Sequence, residues 1–390
     1  METTTATEHV IPSLLDEVRR YGRFDPSGCL NCGGCTVVCD VEYPSASFPR
    51  TPLRYPVIGL KESLLAGLEP WLCHDCGQCS ITCPRQTEPA ESMRTLRRYL
   101  IAQYDWTGLS SKILTSGAWH IGALGVVGAL VFALALFYHL HYVGLSVSDL
   151  ASTPMSLDHM FGKIISVTRV VYLIPMVLIL SHAYRMFRLS MRSGETPRLH
   201  HYISELWTVP VQMTTQKDML KCKENIRRWA AHWLMALGCV VMFVLTFFFL
   251  RWFQTDSLYP WRHPQRWLGY LATVFLVYAT ADILVGRIRK KREIYRFSEP
   301  SDLTLPVLLL GTALTGIAIH IFRYTGFDMA AHYAYALHLV VSVPMLVIEV
   351  PFGKWSHMIY RPMAIYFHAV REKAAAREVP TEGTLEPVPT

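Results

Sequence analysis

Apolar residues are spread unevenly along the 390-residue chain: they recur in short periods up to about residue 116 and in six long blocks beyond it. The blocks cover residues 117–140, 161–187, 229–253, 267–285, 303–322 and 333–352. Each reaches the roughly 20 residues a helix needs to cross a bilayer, so the pattern predicts six membrane spans. Ahead of them, residues 11–21, 60–68 and 91–104 read as short helices. In the last of these, Met93, Leu96, Leu100 and Ile101 recur at helical spacing, which predicts a buried face. Arg94, Arg97 and Arg98 form a basic face, predicted to meet solvent, with the membrane surface or a partner as alternatives. A surface helix is expected near residues 217–225, and residues 366–390 read as a flexible tail.

Loop charge sets an expected orientation. Residues 185–228 carry nine Lys or Arg, the run Arg287-Ile-Arg-Lys-Lys-Arg292 carries five, and residues 140–161 carry none. By the positive-inside rule both termini face the cytoplasm and the chain is a multi-pass protein of the inner membrane. At 51% hydrophobic and 17% charged, with a mean hydropathy of +0.24, it is too apolar for an ordinary soluble protein. The net charge of +7 is spread over the loops of the membrane half, so nucleic acid is not the expected partner and the lipid bilayer is. Arg19-Arg20 is not followed by an apolar segment, so no export signal is read there.

The polar quarter holds the strongest chemistry. Cys29-Leu-Asn-Cys32-Gly-Gly-Cys35-Thr-Val-Val-Cys39 and Cys73-His-Asp-Cys76-Gly-Gln-Cys79-Ser-Ile-Thr-Cys83-Pro84 are two copies of C-x2-C-x2-C-x3-C. In this bacterial ferredoxin spacing three thiolates hold one [4Fe-4S] cluster and the fourth ligates its neighbour. That assigns Cys29, Cys32, Cys35 and Cys83 to one cluster, and Cys73, Cys76, Cys79 and Cys39 to the other. Zinc favours paired C-x2-C units and disulfides a secreted chain, so both fit less well. Gly33, Gly34 and Gly77 suit a backbone wound around a cluster, where positive φ is needed. Cys222 and Cys239 lie outside both runs and are expected only to pack.

Six spans give the electrons somewhere to go. His120, His182, His232 and His357 fall on the inner side, and His139, His141, His320, His332 and His338 on the outer side. A histidine in a span is costly and so a functional candidate, although one at a helix end often only meets headgroups. His338 and His357 are 19 residues apart, about 28 Å along a helix, which is close to the hydrocarbon thickness. Nineteen overshoots the same helical face by about 100°, a mismatch that Pro344 and Pro351 could absorb by a kink or bulge. Bis-imidazole b-type haem is the carrier this pattern suggests.

The ending Leu337-His338-Leu339 through Val350-Pro351-Phe352-Gly353-Lys354-Trp355-Ser356-His357 resembles the last helix of the respiratory nitrate reductase gamma subunit and of the heterodisulfide reductase membrane subunit. Arg227-Arg228-Trp-Ala-Ala-His232 looks like the earlier helix that pairs with it there. The Trp71-Leu72-Cys73 approach and Cys83-Pro84-Arg85 exit resemble heterodisulfide reductase iron-sulfur subunits. The fusion of both parts, with the stretch from Arg97-Arg98-Tyr99 to Tyr104-Asp105-Trp106-Thr107-Gly108-Leu109, resembles the fused iron-sulfur and cytochrome b component of quinone-interacting membrane-bound oxidoreductases, and tricarballylate utilization protein B has a similar plan. The resemblance implies a mostly α fold: a dicluster ferredoxin-like domain over residues 1–108, a six-span cytochrome b bundle of nitrate reductase gamma type over 109–365, and the tail.

It also implies His232, His357 and His338 as haem ligands, giving one haem or two. Two departures stand out: Asp40 replaces the proline expected after the first run, and Met242 stands where the family has a second histidine. An outer haem would then pair His338 with Met242, His139 or His320; His182, on the inner side, is a further haem-ligand candidate. The function implied is electron transfer between a cytoplasmic flavoprotein or iron-sulfur partner and membrane quinone. Glu349, Asp282 and Lys354 are candidates for the quinone or proton site, against pairing with a basic neighbour. The chain shows no Rossmann glycine fingerprint, so flavin chemistry is expected on another subunit. A tricarballylate-utilization-type subunit that reoxidises a flavin dehydrogenase, and a redox-sensing anchor or transporter, are the alternatives.

Overall fold

A computed structural model of the chain describes residues 8–41, 47–143, 164–191, 197–221 and 226–376, and they are almost entirely helical. Among the described residues six helices are long and apolar enough to cross a membrane: Gly117–His141, Arg169–Ser190, Ile226–Phe247, Pro264–Arg289, Pro300–Thr325 and Asp328–Phe352, here spans 1 to 6. Spans 3, 4, 5, 6 and 1 pack in that order side by side, and span 2 lies against the end of span 6. Outward-facing Val126, Leu130 and Leu134 on span 1 are more than half exposed, as lipid-facing side chains would be.

Span 6 is broken where its prolines predict. It runs as an α-helix from Asp328 to Pro344, widens into a π-turn over Met345–Glu349, resumes over Val350–Phe352 and ends at Gly353. Proline supplies no N–H to the helical ladder, so the chain locally adopts the wider turn. A short 3₁₀ turn, Lys354–Ser356, leads into a separate C-terminal helix, His357–Ala376.

That helix revises the reading of residues 366 onward as tail. Tyr360, Ala364, Phe367 and Val370 are buried, and Tyr360 packs between Trp71 and Tyr104, with ring centres 5.3 and 5.2 Å away. The regular spacing of these apolar residues on one face holds the helix in the core, together with Leu14, Val18, Met93, Leu96 and Leu100. Residues 377–390 lie outside the described residues.

The helix Pro89–Tyr104 brings a second correction. Its basic face does not meet solvent: Arg94 and Arg98 are buried, and Arg97 donates to the carbonyls of Pro70 and Cys73 at 2.6 Å each. Within residues 197–221 the chain forms helices Leu199–Glu205 and Thr208–Thr215 and a 3₁₀ turn, Lys217–Lys221. The remainder of the helix expected at 217–225, with Cys222, lies outside the described residues. Cys239 packs against a buried cluster that includes Leu276 and Met345.

Candidate functional site

The two cysteine runs wind alike. Asn31 and Asp75, each just before a second cysteine, are left-handed at φ 55° and 56°. So are Gly33 and Gly77, each just after it, at φ 81° and 83°. A Cβ is strained in this conformation, which explains the glycines. Gly34, by contrast, begins an ordinary helix. Equivalent N–H groups point at equivalent sulfurs, Asn31 to Cys29 Sγ at 3.4 Å and Asp75 to Cys73 Sγ at 3.3 Å.

The fourth cysteine of each run leans toward the other. Cys39 lines one small cavity with Cys73, Cys76 and Cys79. The Cys83 Sγ lies 3.3 Å from the Thr87 hydroxyl. Thr87 packs on Gly28, and Arg85 Nε donates to the Gly28 carbonyl at 3.3 Å, beside the start of the first run. Burial pushes the Cys39 thiol up to about 12 and raises Cys35, Cys73 and Cys79. These sulfurs become thiolates when a metal supplies the compensating charge. Among the described residues no three His, Cys, Asp or Glu side chains converge as a single-ion site would require.

Residues 16–87 match the 4Fe-4S dicluster domain. The match takes in all eight cysteines of the two runs, and the domain holds two [4Fe-4S] clusters on them. No curated protein and no solved structure shows a significant match to the chain.

The dicluster domain is fastened to the membrane helices through the loop between Cys73 and Cys76. Arg228, at the start of span 3, donates from Nη1 to the Asp75 carbonyl at 2.6 Å. Arg361, on the C-terminal helix, donates to His74 Nδ1 at 2.9 Å. Arg94 Nε donates to the Asp75 carboxylate at 2.8 Å. Burial opposes ionisation of Asp75, but Arg94, Arg228 and Arg97 outweigh it and hold the carboxyl below its usual range. Alongside, Arg98, Arg287 and Lys354 all engage Asp302, whose side chain is fully buried, and Arg94 and Arg98 engage Glu91. Five cations, Arg94, Arg98, Arg228, Arg287 and Lys354, thus face three carboxylates, those of Asp75, Glu91 and Asp302. The positive surplus lies beside cysteines that carry negative charge once they bind iron.

His232 and His357 face each other one helical turn from Arg228 and Arg361 respectively. Their ring centres are 6.2 Å apart, with the planes at 57°. A metal–nitrogen bond of about 2 Å on each side, plus about 1.1 Å from nitrogen to ring centre, spans about 6 Å. His232 Nδ1 donates to Gln216 Oε1 at 2.7 Å, and His357 Nδ1 donates to the Lys354 carbonyl at 2.5 Å. Both Nε2 atoms are left to ligate, the tautomer that second-shell hydrogen bonds commonly fix.

The remaining sequence candidates occupy other settings. His338, in the far half of span 6, has Nδ1 2.9 Å from Thr315 Oγ1 and packs on Gly316. Met242 lies in the apolar cluster with Leu309 and Met345. His320 Nε2 is engaged by Tyr270 at 2.7 Å and Arg266 at 3.0 Å, and His139 begins a π-turn at the end of span 1. His182 is buried 3.2 Å from Asp105. Asp282 pairs with Arg227 at 2.5 Å. Glu349, fully buried, accepts from His120 Nε2 at 2.5 Å.

Sequence reasoning did not single out Arg228, Arg361, His74, Asp75 or Gln216. The arginines carried a signal: each stands four residues from a candidate histidine, on the same helical face. Gln216 carried none, because it precedes span 3 by ten residues and arrives through a left-handed turn at φ 48°.

Proposed function

We propose that this chain is the membrane electron-transfer subunit of a quinone-linked oxidoreductase. Cys29, Cys32, Cys35 and Cys83 hold one [4Fe-4S] cluster, and Cys73, Cys76, Cys79 and Cys39 the other. His232 and His357 hold a b-type haem. Clusters and haem supply one-electron centres, which let a two-electron flavin or quinone be served one step at a time. The partner is a cytoplasmic flavoprotein or iron-sulfur subunit, and the membrane partner is quinone. A cytoplasmic setting for the dicluster end of the bundle is supported by its basic loops, through the positive-inside rule.

The observation that carries this reading is the facing pair of His232 and His357, 6.2 Å apart and with both Nδ1 atoms engaged. The chain's own residues orient the imidazoles through Gln216 and Lys354, and hold the cysteine loop to both histidine-bearing helices through Arg228 and Arg361. The contacts support one haem, on the dicluster side.

The test is an optical and EPR redox titration of the purified chain, with iron, sulfide and haem counts. The reading expects eight non-haem iron, eight sulfide and one haem with a reduced b-type band. His232→Ala and His357→Ala should each remove that band while leaving both clusters. A wild-type protein without b-type absorbance, or variants that keep it, would defeat the haem assignment.

A further inference from the structure

At the dicluster-side ends of spans 3 and 4, Arg227, Asp282, Arg289, Lys291, Arg292 and Tyr295 line an open pocket of ≈ 540 Å³. The chain turn explains the convergence. Span 4 ends at Arg289, Lys290 adopts a left-handed conformation at φ 49°, and its N–H caps the Gly286 carbonyl. The chain therefore folds back, and cations on both sides of Lys290 open onto one concavity. Asp282 is taken by Arg227. Arg289, Lys291 and Arg292 make no ion pair among the described residues, so four cations face one carboxylate.

A basic run at a span end is what the positive-inside rule produces anyway, and a free cation commonly just faces water. Two features separate this one. The charges share a concavity instead of fanning outward, and the adjoining surface is apolar: Val285 in the pocket wall, with Ile288 and Ile226 beside it at 79% and 75% exposure. A free anion has no use for the apolar surface. An anionic amphiphile uses both parts.

We propose that this pocket binds the phosphodiester headgroup of one anionic phospholipid of the dicluster-side leaflet. The headgroup meets Arg227, Arg289, Lys291 and Arg292, and the acyl chains follow the exposed apolar side of spans 3 and 4. The site adjoins the docking contacts of the clusters: Glu293 and Ile294 pack on Gly77, and Arg228 is the neighbour of Arg227. A bound headgroup thus braces the side on which the dicluster domain sits. The inference rests on the six spans lying in a bilayer and is independent of the haem.

The experiment titrates full-length, delipidated protein in neutral detergent with phosphatidylglycerol, phosphatidylcholine or inorganic phosphate, and reads bound lipid by native mass spectrometry. One phosphatidylglycerol should bind, and phosphatidylcholine at least about tenfold more weakly. Each cation removed should weaken binding about fivefold. Lys291→Gln alone tests this at an exposed position, and Arg289→Gln/Lys291→Gln/Arg292→Gln should lose about a hundredfold. The control Arg185→Gln/Arg188→Gln, on the basic end of span 2, should change binding less than twofold. Equal loss in the control, equal binding of phosphatidylcholine, or full displacement of the lipid by millimolar inorganic phosphate overturns the proposal. Carbonate extraction of membranes tests the spans themselves: release of the chain would fail the membrane reading, whereas retention with no lipid bound fails only the pocket.

Discussion

Arg228 donates to the backbone carbonyl of Asp75 at 2.6 Å, and through that contact the first turn of span 3 holds the loop between two cluster cysteines. Arg361 makes the matching contact to His74 from the C-terminal helix. Each arginine lies four residues from a histidine of the facing pair. Cluster loop and imidazoles therefore share two short rigid segments, and their separation is set by side chains that neither ligate nor react.

Arg228→Gln should accordingly leave iron, sulfide and haem contents unchanged while slowing electron transfer between the clusters and the proposed haem by about tenfold or more. Removing one partner of a buried ionic contact costs about 3–5 kcal/mol, enough to loosen the docked loop. Arg228 retains some exposure, 18% of its side chain, so the lower end applies. Stopped-flow spectroscopy after rapid reduction of the clusters measures it. A wild-type rate would mean that the contact is incidental.

The crossing of the fourth cysteines gives a sharper test of ligand assignment. Cys39→Ala should degrade the cluster held by Cys73, Cys76 and Cys79, whose cavity it lines. Cys83→Ala should degrade the other, because Cys83 turns toward Gly28 through Thr87 and Arg85. EPR of each variant, compared with Cys29→Ser and Cys73→Ser, should pair Cys39 with Cys73 and Cys83 with Cys29. The opposite pairing would mean that each run ligates its own cluster.

Much of this was legible in the sequence, and for physical reasons. Cysteine spacing is local, so the duplicated run alone identifies the winding that Asn31 and Asp75, Gly33 and Gly77 then adopt. Long apolar blocks announce spans irrespective of their partners. The prolines of span 6 foretold a break, realised as the π-turn at Met345–Glu349. What failed depended on partners distant in sequence. Arg94 and Arg98 read as a solvated face because, of their three carboxylates, only Glu91 shares their helix, while Asp75 and Asp302 arrive from separate segments. The C-terminal helix read as tail from residue 366 because its apolar face has no meaning until Trp71 and Tyr104 stand opposite Tyr360.

Asp105 should give the junction before span 1 a stability contribution whose pH dependence is confined to acid. Its carboxyl is held below the usual range: burial opposes this, but His182, the Thr107 hydroxyl and the N–H groups of Ser110 and Thr107 outweigh it. A depressed carboxylate contributes its full stabilisation above its ordinary value of about 4 and loses it as pH falls through the lower folded value. Between pH 5 and pH 8 this group should therefore add no slope to a stability profile. Asp105→Asn should cost about 1–3 kcal/mol at neutral pH, since Oδ1 accepts from Thr107 and Oδ2 from the Ser110 N–H, and an amide NH2 in place of either oxygen sets a donor against a donor. Thermal unfolding of wild type and variant at pH 7 checks the difference. An unchanged melting temperature would show that the Asp105 contacts contribute little.

Glu349 and His120 pose a choice between structure and proton handling. Both are buried, Oε1 of the carboxylate meets His120 at 2.5 Å, and Oε2 has no hydrogen-bond partner among the described residues. A half-partnered carboxylate is an expensive thing to keep in a bundle, and such groups tend to be retained where charge or protons move. Glu349→Gln keeps the shape and a hydrogen bond to His120 but removes the proton-transferring group. If the pair delivers protons to quinone, this variant should keep clusters, haem and melting temperature while quinone-linked turnover falls about a hundredfold, within the range typical of a lost acid or base. Gly353→Ala reaches the same group by another route, because a Cβ at position 353 would collide with Glu349 Oε2. It should lower turnover in parallel. His120→Leu leaves the carboxylate unpaired and should destabilise the protein by about 3–5 kcal/mol. Full turnover in Glu349→Gln, with His120→Leu still destabilised, would assign the pair to holding span 1 against span 6.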